Sequence, residues 1–200
     1  MDHALLHTLN TLLVRHDAIE DPVVAYVNGA ELIFAGMLLA AFLVVGGHPR
    51  RATQRAAVAA GLSAGVALAL AQVLSRIVDR PRPFVADPGA VHLFAHHVAD
   101  PGFPSDHATA AFAIGVALFL RLRAWGTIVL VLATILAAGR VAMGIHYPSD
   151  VLGGALLGTA VALVLYHPLV RALINRAADG AGAALDRTAG AVARPLRGGG

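Results

Sequence analysis

The sequence predicts an all-α integral membrane protein: a helical bundle of five transmembrane helices preceded by an N-terminal interfacial amphipathic helix. Three observations lead there. Hydrophobic residues make up 58% of the 200-residue chain and charged residues 14%, where a soluble domain carries about 25% charged. Mean hydropathy is +0.71, more apolar sequence than a two-layer soluble core can hide. The apolar residues also run in long Ala/Leu/Val stretches, whereas a membrane β-barrel needs short alternating strands and disorder needs low hydrophobicity. There is no cysteine, which excludes disulfides, iron–sulfur clusters and thiolate zinc sites.

Residues 1–22 form the first part. Asp2 stands where a signal peptide would carry positive charge, and no small-residue cleavage site follows. Leu5, Leu6, Leu9, Leu12 and Leu13 recur at helical spacing among polar residues, which predicts an amphipathic helix lying in the membrane interface; a helix packed on the bundle from the cytosol is the other reading. Residues 23–171 form the transmembrane part, with apolar stretches at Val23–Gly46, Ala56–Val78, Phe103–Leu120, Trp125–Met143 and Val151–Val170. A span needs about 20 apolar residues, and the third stretch reaches that only from Phe103, with Arg121 and Arg123 snorkelling outward. Gly61, Gly65, Gly115, Gly153, Gly154 and Gly158 permit close helix packing. Residues 172–200 are an Arg/Gly/Ala-rich cytoplasmic tail, expected to be flexible.

Five spans place successive connections on alternate faces. Arg50, Arg51, Arg55, Arg121, Arg123 and the tail arginines fall on one face, which the positive-inside rule makes cytoplasmic. The net charge of +3, with every basic side chain an arginine and none a lysine, is therefore topological and does not indicate nucleic acid. The opposite face receives the segments 79–102 and 144–150.

Three clusters in or beside those segments carry the chemistry: Asp79-Arg80-Pro81-Arg82-Pro83-Phe84, Phe103-Pro104-Ser105-Asp106-His107, and Gly139-Arg140 through His146-Tyr147-Pro148-Ser149-Asp150. Ionisable groups at membrane depth are costly and usually functional. Arg80, Arg82 and Arg140 offer planar donor forks suited to phosphate, and Ser105 with the amides of a helix start adds donors. Asp150, four residues after His146, lies one helical turn from it and would fix the tautomer of the imidazole. His107 is a second imidazole able to protonate a leaving oxygen. Together these describe phosphoryl transfer through a phosphohistidine. Each cluster has a plainer reading too: Arg-Pro-Arg-Pro as a stiff headgroup-anchored turn, Pro104-Ser105 as a helix cap, and Tyr147-Pro148-Ser149-Asp150 as a loop plus cap. His92, His96 and His97 show no acidic partner at matching spacing and read as solvated loop histidines. Glu31, inside an apolar run, pairs with Arg76 or Arg80 or stays wet at the interface.

Arg82-Pro83, Pro104-Ser105-x-His107 and Arg140-x5-His146-x3-Asp150 resemble the three-part signature of the type-2 phosphatidic acid phosphatase superfamily. The resemblance implies His146 as nucleophile, Asp150 as its orienting carboxylate and His107 as general acid, with Arg82, Arg140 and Ser105 as phosphate ligands and no metal or other cofactor. Three positions depart from the pattern. Ser75 stands where the first motif opens with Lys, leaving Arg76 or Arg80 to supply the charge; Gly139 replaces the Ser of the third motif; and Asp106 replaces the Gly of the second. Asp106, with Asp-Arg-Pro-Arg-Pro-Phe upstream, is most similar to the bacitracin-resistance type of undecaprenyl-diphosphate phosphatase, which adds Arg80 and Asp106 to the substrate-binding set. That resemblance implies recycling of a polyprenyl carrier lipid at the outer face of a bacterial cell membrane, with lipids as partners and no nucleic acid. Another lipid phosphate, such as phosphatidylglycerophosphate or phosphatidate, is the alternative substrate, and a small transporter the alternative of another class.

Overall fold

The computed structural model describes residues 2–43, 49–94 and 97–193. Regular structure among them is entirely helical: α1 Asp2–Arg15, α2 Asp17–Leu43, α3 Arg50–Val78, α4 Pro83–Ala86, α5 Asp106–Phe119, α6 Arg123–Ala142, α7 Pro148–Leu165 and α8 Pro168–Ala193. Four stretches are long and apolar enough to cross a membrane: α2, Arg50–Ala86 (which contains α3), α6 and α7. Leu32, Ile77 and Leu156 project from them into the surroundings, as the lipid-facing side chains of a multi-pass membrane protein do.

The third apolar stretch differs from expectation. Its helix begins only at Asp106 and is 14 residues long, about 21 Å at 1.5 Å per residue, against a hydrocarbon core of about 30 Å. Pro104 disfavours helical backbone at Phe103, and Ser105 is extended as the N-cap. The fifth stretch is likewise interrupted: α7 ends at Leu165, and α8 starts with Pro168 at its first position, where a proline's missing N–H costs nothing. The segment expected to be a flexible tail from residue 172 is instead helical as far as Ala193. Alanine is the strongest helix former; Ile174 and Ala178 are buried, and α8 packs on α3, where Arg55 makes a two-point ion pair with Asp179 at 2.7 and 2.8 Å. The remainder of that segment, with Arg194 and Arg197, lies outside the described residues.

α5 is the centre of the bundle, packed on α7, α6 and α3. Small residues make this possible. α3 presents Ala56, Ala60, Ala64, Ala67 and Ala71 on its buried side. On α7, a Cβ at Gly158 would collide with the backbone of Thr109 and Ala113, and one at Gly154 with Ser105 O at 2.6 Å, so these helices touch backbone to backbone. Gly61 and Gly65 have nothing within 4 Å of an added Cβ and serve no such contact. α1 lies on the outside against α6, α2 and α7. It buries Leu6, Asn10 and Leu13 while Leu5, Leu12 and Val14 stay exposed.

Candidate active site

α3 ends at Val78 and is capped by Asp79, whose left-handed backbone (φ 42°) turns the chain while its N–H bonds Ser75 O. Arg80 and Arg82 follow on the short link to α4. Arg140 sits in the last turn of α6, and a turn with Gly144 at φ 75° delivers His146 just ahead of α7. Asp106 and His107 open α5. Arg82, His107, Arg140, His146 and Asp106 converge on one pocket of about 270 Å³, walled on its apolar side by Ala30, Phe34, Leu68 and Leu136. The volume suits a headgroup, not a whole lipid.

His146 is buried, 1% exposed. Its Nδ1 lies 2.9 Å from Gly102 O, a pure acceptor, so Nδ1 carries the proton and Nε2 the lone pair. Arg82 Nη1 at 2.9 Å and Arg140 Nη2 at 3.3 Å donate to that lone pair. Burial first, then the Arg140 and Arg82 charges, hold the imidazole well below its usual 6.5, outweighing the opposite pull of Gly102. His146 is therefore neutral, with Nε2 facing two guanidiniums.

Asp150 does not orient His146 directly as the spacing suggested. Its Oδ2 is 3.7 Å from His146 Nδ1, beyond hydrogen-bond reach, and accepts instead from Tyr147 N at 2.8 Å. The i,i+4 expectation assumed that both residues are helical. His146 precedes the extended N-cap Tyr147, so it lies outside α7, and the carboxylate at N3 folds back onto the cap as in a capping box. Asp150 Oδ1 accepts from Arg80 Nη1 at 2.8 Å.

Arg80, expected among the phosphate ligands, is turned away from the pocket. It donates to Ser149 Oγ at 2.6 Å and to Asp2 Oδ2 at 3.0 Å, and its guanidinium stacks 4.1 Å over the Tyr147 ring. Asp2 also accepts from Ser149 N at 3.0 Å and makes a short bond with Ser149 Oγ. Burial raises the Asp2 carboxyl, but these bonds outweigh it and hold the group below the usual carboxylate range. The start of α1 thus clasps the motif behind His146. Further along α1, Asn10 donates to His92 O and Ala142 O, both at 2.8 Å, and accepts from His92 N at 2.9 Å.

Ser105 is buried, donating its N–H to Asp150 O at 3.0 Å. Its Oγ and Arg140 Nε find no hydrogen-bond partner among the described residues. Asp106 lines the pocket but accepts from Gln72 Nε2 at 2.9 Å; an ionised carboxylate has no donor to offer phosphate. Glu31 meets neither Arg76 nor Arg80. Its Oε1 lies 3.5 Å from His107 Nε2.

Besides Glu31, two polar pocket residues were not expected there, His97 and Asp100. Asp100 Oδ1 accepts from Arg82 Nε at 2.9 Å. Burial raises the carboxyl, and the bond and charge of Arg82 more than reverse this. His97 Nε2 is 3.1 Å from Arg140 Nη2, and its Nδ1 is 3.8 Å from Asp100 Oδ1. The usable signal was the His97-x2-Asp100 spacing, a carboxylate three residues from one of the loop histidines. His92 is held outside the pocket by Asn10, and His96 lies outside the described residues.

The sequence profile of the PAP2 superfamily matches residues 56–172, more than half of the chain and all three motifs. The chain belongs to the PAP2 superfamily. Among curated relatives, undecaprenyl-diphosphatase BcrC of Bacillus subtilis (strain 168) is 28% identical over 156 residues, covering 78% of each chain. YbjG of Escherichia coli (strain K12), provisionally named an undecaprenyl-diphosphatase, is 46% identical over 78 residues, a match spanning 38% of that protein's length. The bacitracin transport permease protein BcrC of Bacillus licheniformis is 41% identical over 85 residues, 41% of its length. Among solved structures, Aquifex aeolicus LpxE superimposes with a TM-score of 0.61 at 21% identity, over 80% of this chain and 92% of that one. The PAP2-type phosphatidylglycerolphosphate phosphatase of Bacillus subtilis gives 0.58 at 19%, over 82% of each. These two share the fold of this PAP2 member.

Proposed function

We propose that this PAP2 protein hydrolyses undecaprenyl diphosphate to undecaprenyl phosphate and inorganic phosphate through a phosphohistidine on His146, recycling a carrier lipid for envelope synthesis and thereby conferring bacitracin resistance. The observation that supports this best is the setting of His146 Nε2. It is a neutral lone pair in a headgroup-sized pocket, met by Arg82 and Arg140. The names of the BcrC and YbjG relatives favour the diphosphate.

In the first step Nε2 attacks the terminal phosphorus. The bond from that phosphorus to the bridging oxygen breaks, and the lipid phosphate leaves with the electron pair, protonated by His107. The arginines that hold the resting lone pair transfer their hydrogen bonds to the phosphoryl oxygens, which frees Nε2 and stabilises the developing charge. Ser105 Oγ supplies a further donor. Gly102 O keeps the Nδ1 proton in place as His146 becomes positive. In the second step His107 takes a proton from water, whose oxygen attacks phosphorus; the P–N bond breaks and phosphate leaves. Asp150, bonded to Arg80 and Tyr147 N, fixes the loop that carries His146 and so acts as a positioning residue. The relative named as a transport permease suggests conduction instead, but the polar groups of the pocket lie at one end of the bundle, and Arg55 and Arg121 at the other are tied to Asp179 and Asn175.

Rapid quench with labelled substrate traps an acid-labile phosphohistidine in the wild type and none in His146→Ala, whose turnover falls by about 10⁴-fold or more; a His146→Ala enzyme with ordinary turnover would end the mechanism. The site is proposed to face the periplasm or exterior of a bacterial inner membrane. An impermeant thiol reagent on whole cells then labels Ala90→Cys and spares Ala124→Cys, and the reverse pattern would place the site in the cytoplasm. Activity is expected to survive thorough chelation, because arginines supply the charge that a metal would otherwise bring.

A further inference from the structure

We infer that His97, backed by Asp100, binds the second phosphate group of a diphosphate substrate, the one that departs with the lipid, and so sets the preference for diphosphates over phosphate monoesters; this rests on the phosphatase reading above. The basic side chains lining the pocket are Arg82, Arg140, His97, His107 and His146. The transferred phosphoryl group occupies His146 with the two arginines and Ser105 Oγ, and the bridging oxygen falls to His107. A diphosphate brings further oxygens and at least one more negative charge. Glu31, Asp100 and Asp106 have no donor for them when ionised. His97 is the basic pocket side chain left over, a donor once protonated, and it belongs to none of the three motifs.

Its position fits that task. Arg140 Nη2 is shared, 3.3 Å from His146 Nε2 and 3.1 Å from His97 Nε2, so the two imidazoles stand one guanidinium nitrogen apart. A group bonded to His97 is then the neighbour of a group bonded to His146, as the two phosphates of one diphosphate are. His97 Nδ1 faces Val98 O at 3.2 Å and Asp100 at 3.8 Å, and Nε2 accepts from Arg140. Burial, then the Arg82 and Arg140 charges, keep the ring below its usual 6.5 against the pull of Val98 O and Asp100. When a second phosphate arrives it takes over the Arg140 donor and offsets both arginines. The imidazole then takes a proton from the buffer, donates Nε2–H to the phosphate oxygen and keeps Nδ1–H on Val98 O at 3.2 Å, with the Asp100 charge 3.8 Å away favouring the protonated ring. A monoester does not reach this position.

The test compares wild type, His97→Gln and His97→Ala on farnesyl diphosphate and farnesyl monophosphate in detergent, together with competitive inhibition by inorganic pyrophosphate and orthophosphate. One charge-assisted hydrogen bond corresponds to roughly tenfold to a hundredfold. kcat/KM on the diphosphate should fall by that factor, mainly through KM, and pyrophosphate inhibition should weaken in parallel. Monophosphate turnover and orthophosphate inhibition should change by no more than about threefold, which also shows that the variants fold. Equal losses on both substrates, or equal weakening of both inhibitors, would overturn the assignment. A wild-type enzyme that cleaves the monophosphate and ignores the diphosphate would instead end the proposed function; the two inhibitors would still report what His97 binds.

Discussion

The two walls of the pocket are built on opposite plans. The rear wall, α5 with the loop carrying His146, is backed by α7 through backbone contact, and eight of the 14 residues of α5 are buried. The front wall, α2, buries only Val27, Ala30, Phe34 and Ala41 of its 27 residues, and its one carboxylate at the pocket, Glu31, is 81% exposed at the side chain. The rear wall holds His146, the proposed nucleophile, and is backed by the buried carboxylate Asp150. On the proposed function, the difference assigns rigidity to the phosphate and compliance to the tail: reacting atoms need placement to a fraction of an ångström, whereas a lipid chain needs only an apolar boundary that parts.

The largest expected effect contrasts one residue of each wall across a single contact. A monoester expels an alkoxide and needs a general acid far more than a diphosphate, whose leaving phosphate has a pKa of roughly 6. His107→Gln, on the rear wall, should lower phosphatidate hydrolysis by about 10³–10⁴-fold and undecaprenyl diphosphate hydrolysis far less. Glu31→Gln, its exposed partner on the front wall, should change either rate by only a few-fold. Equal losses in His107→Gln on both substrates would show that it is not the leaving-group acid.

Packing supplies the next contrast. Gly158→Leu drives a side chain into the backbone of Thr109 and Ala113 and should cost about 10²-fold in kcat, with a lowered melting temperature. Gly36→Leu, where an added Cβ meets nothing within 4 Å, should stay within about twofold. A front-wall variant as damaging as the rear-wall one would erase the distinction. Smaller still is Asp150→Asn. It keeps a side chain that can accept from Tyr147 N but loses the charge facing Arg80, so kcat should fall by roughly tenfold to a hundredfold with KM little changed. The smallest effect is a null. Because His146 is held well below 6.5, lowering pH through 6.5 leaves it neutral, and the ¹⁵N shifts of the substrate-free protein should keep the Nδ1–H signature throughout. A titration at the ordinary imidazole value would mean that the ring is neither desolvated nor faced by arginine as described.

Residues placed by local helix-end patterns were largely legible in the sequence, and those placed by long-range contacts were not. Arg82, His107, Arg140 and His146 are short-range patterns at helix ends, where spacing and capping chemistry translate directly into position. Arg80 was misplaced because its partners, Asp2 and Ser149, lie 78 and 69 residues away, and no local pattern shows that α1 returns to the site. The Asp150 contact failed by one structural detail, the start of α7 after His146. His97 and Asp100 belong to a long connection whose path is set by tertiary contacts such as Asn10 on His92. The α8 helix was hidden by reading an Ala-rich composition for its glycines and arginines instead of its helix propensity.

The paired guanidiniums on His146 Nε2 also decide which reagents can reach that nitrogen. A neutral alkylating agent must break two donated hydrogen bonds and gains nothing from the arginines, so it should modify His146 slowly. A phosphate-shaped anion gives Arg82 and Arg140 new acceptors as it arrives and uncovers the nitrogen by its own binding. Inhibitor chemistry for this protein therefore belongs with oxyanions and their transition-state mimics on a short apolar stem, not with electrophiles chosen for histidine reactivity alone.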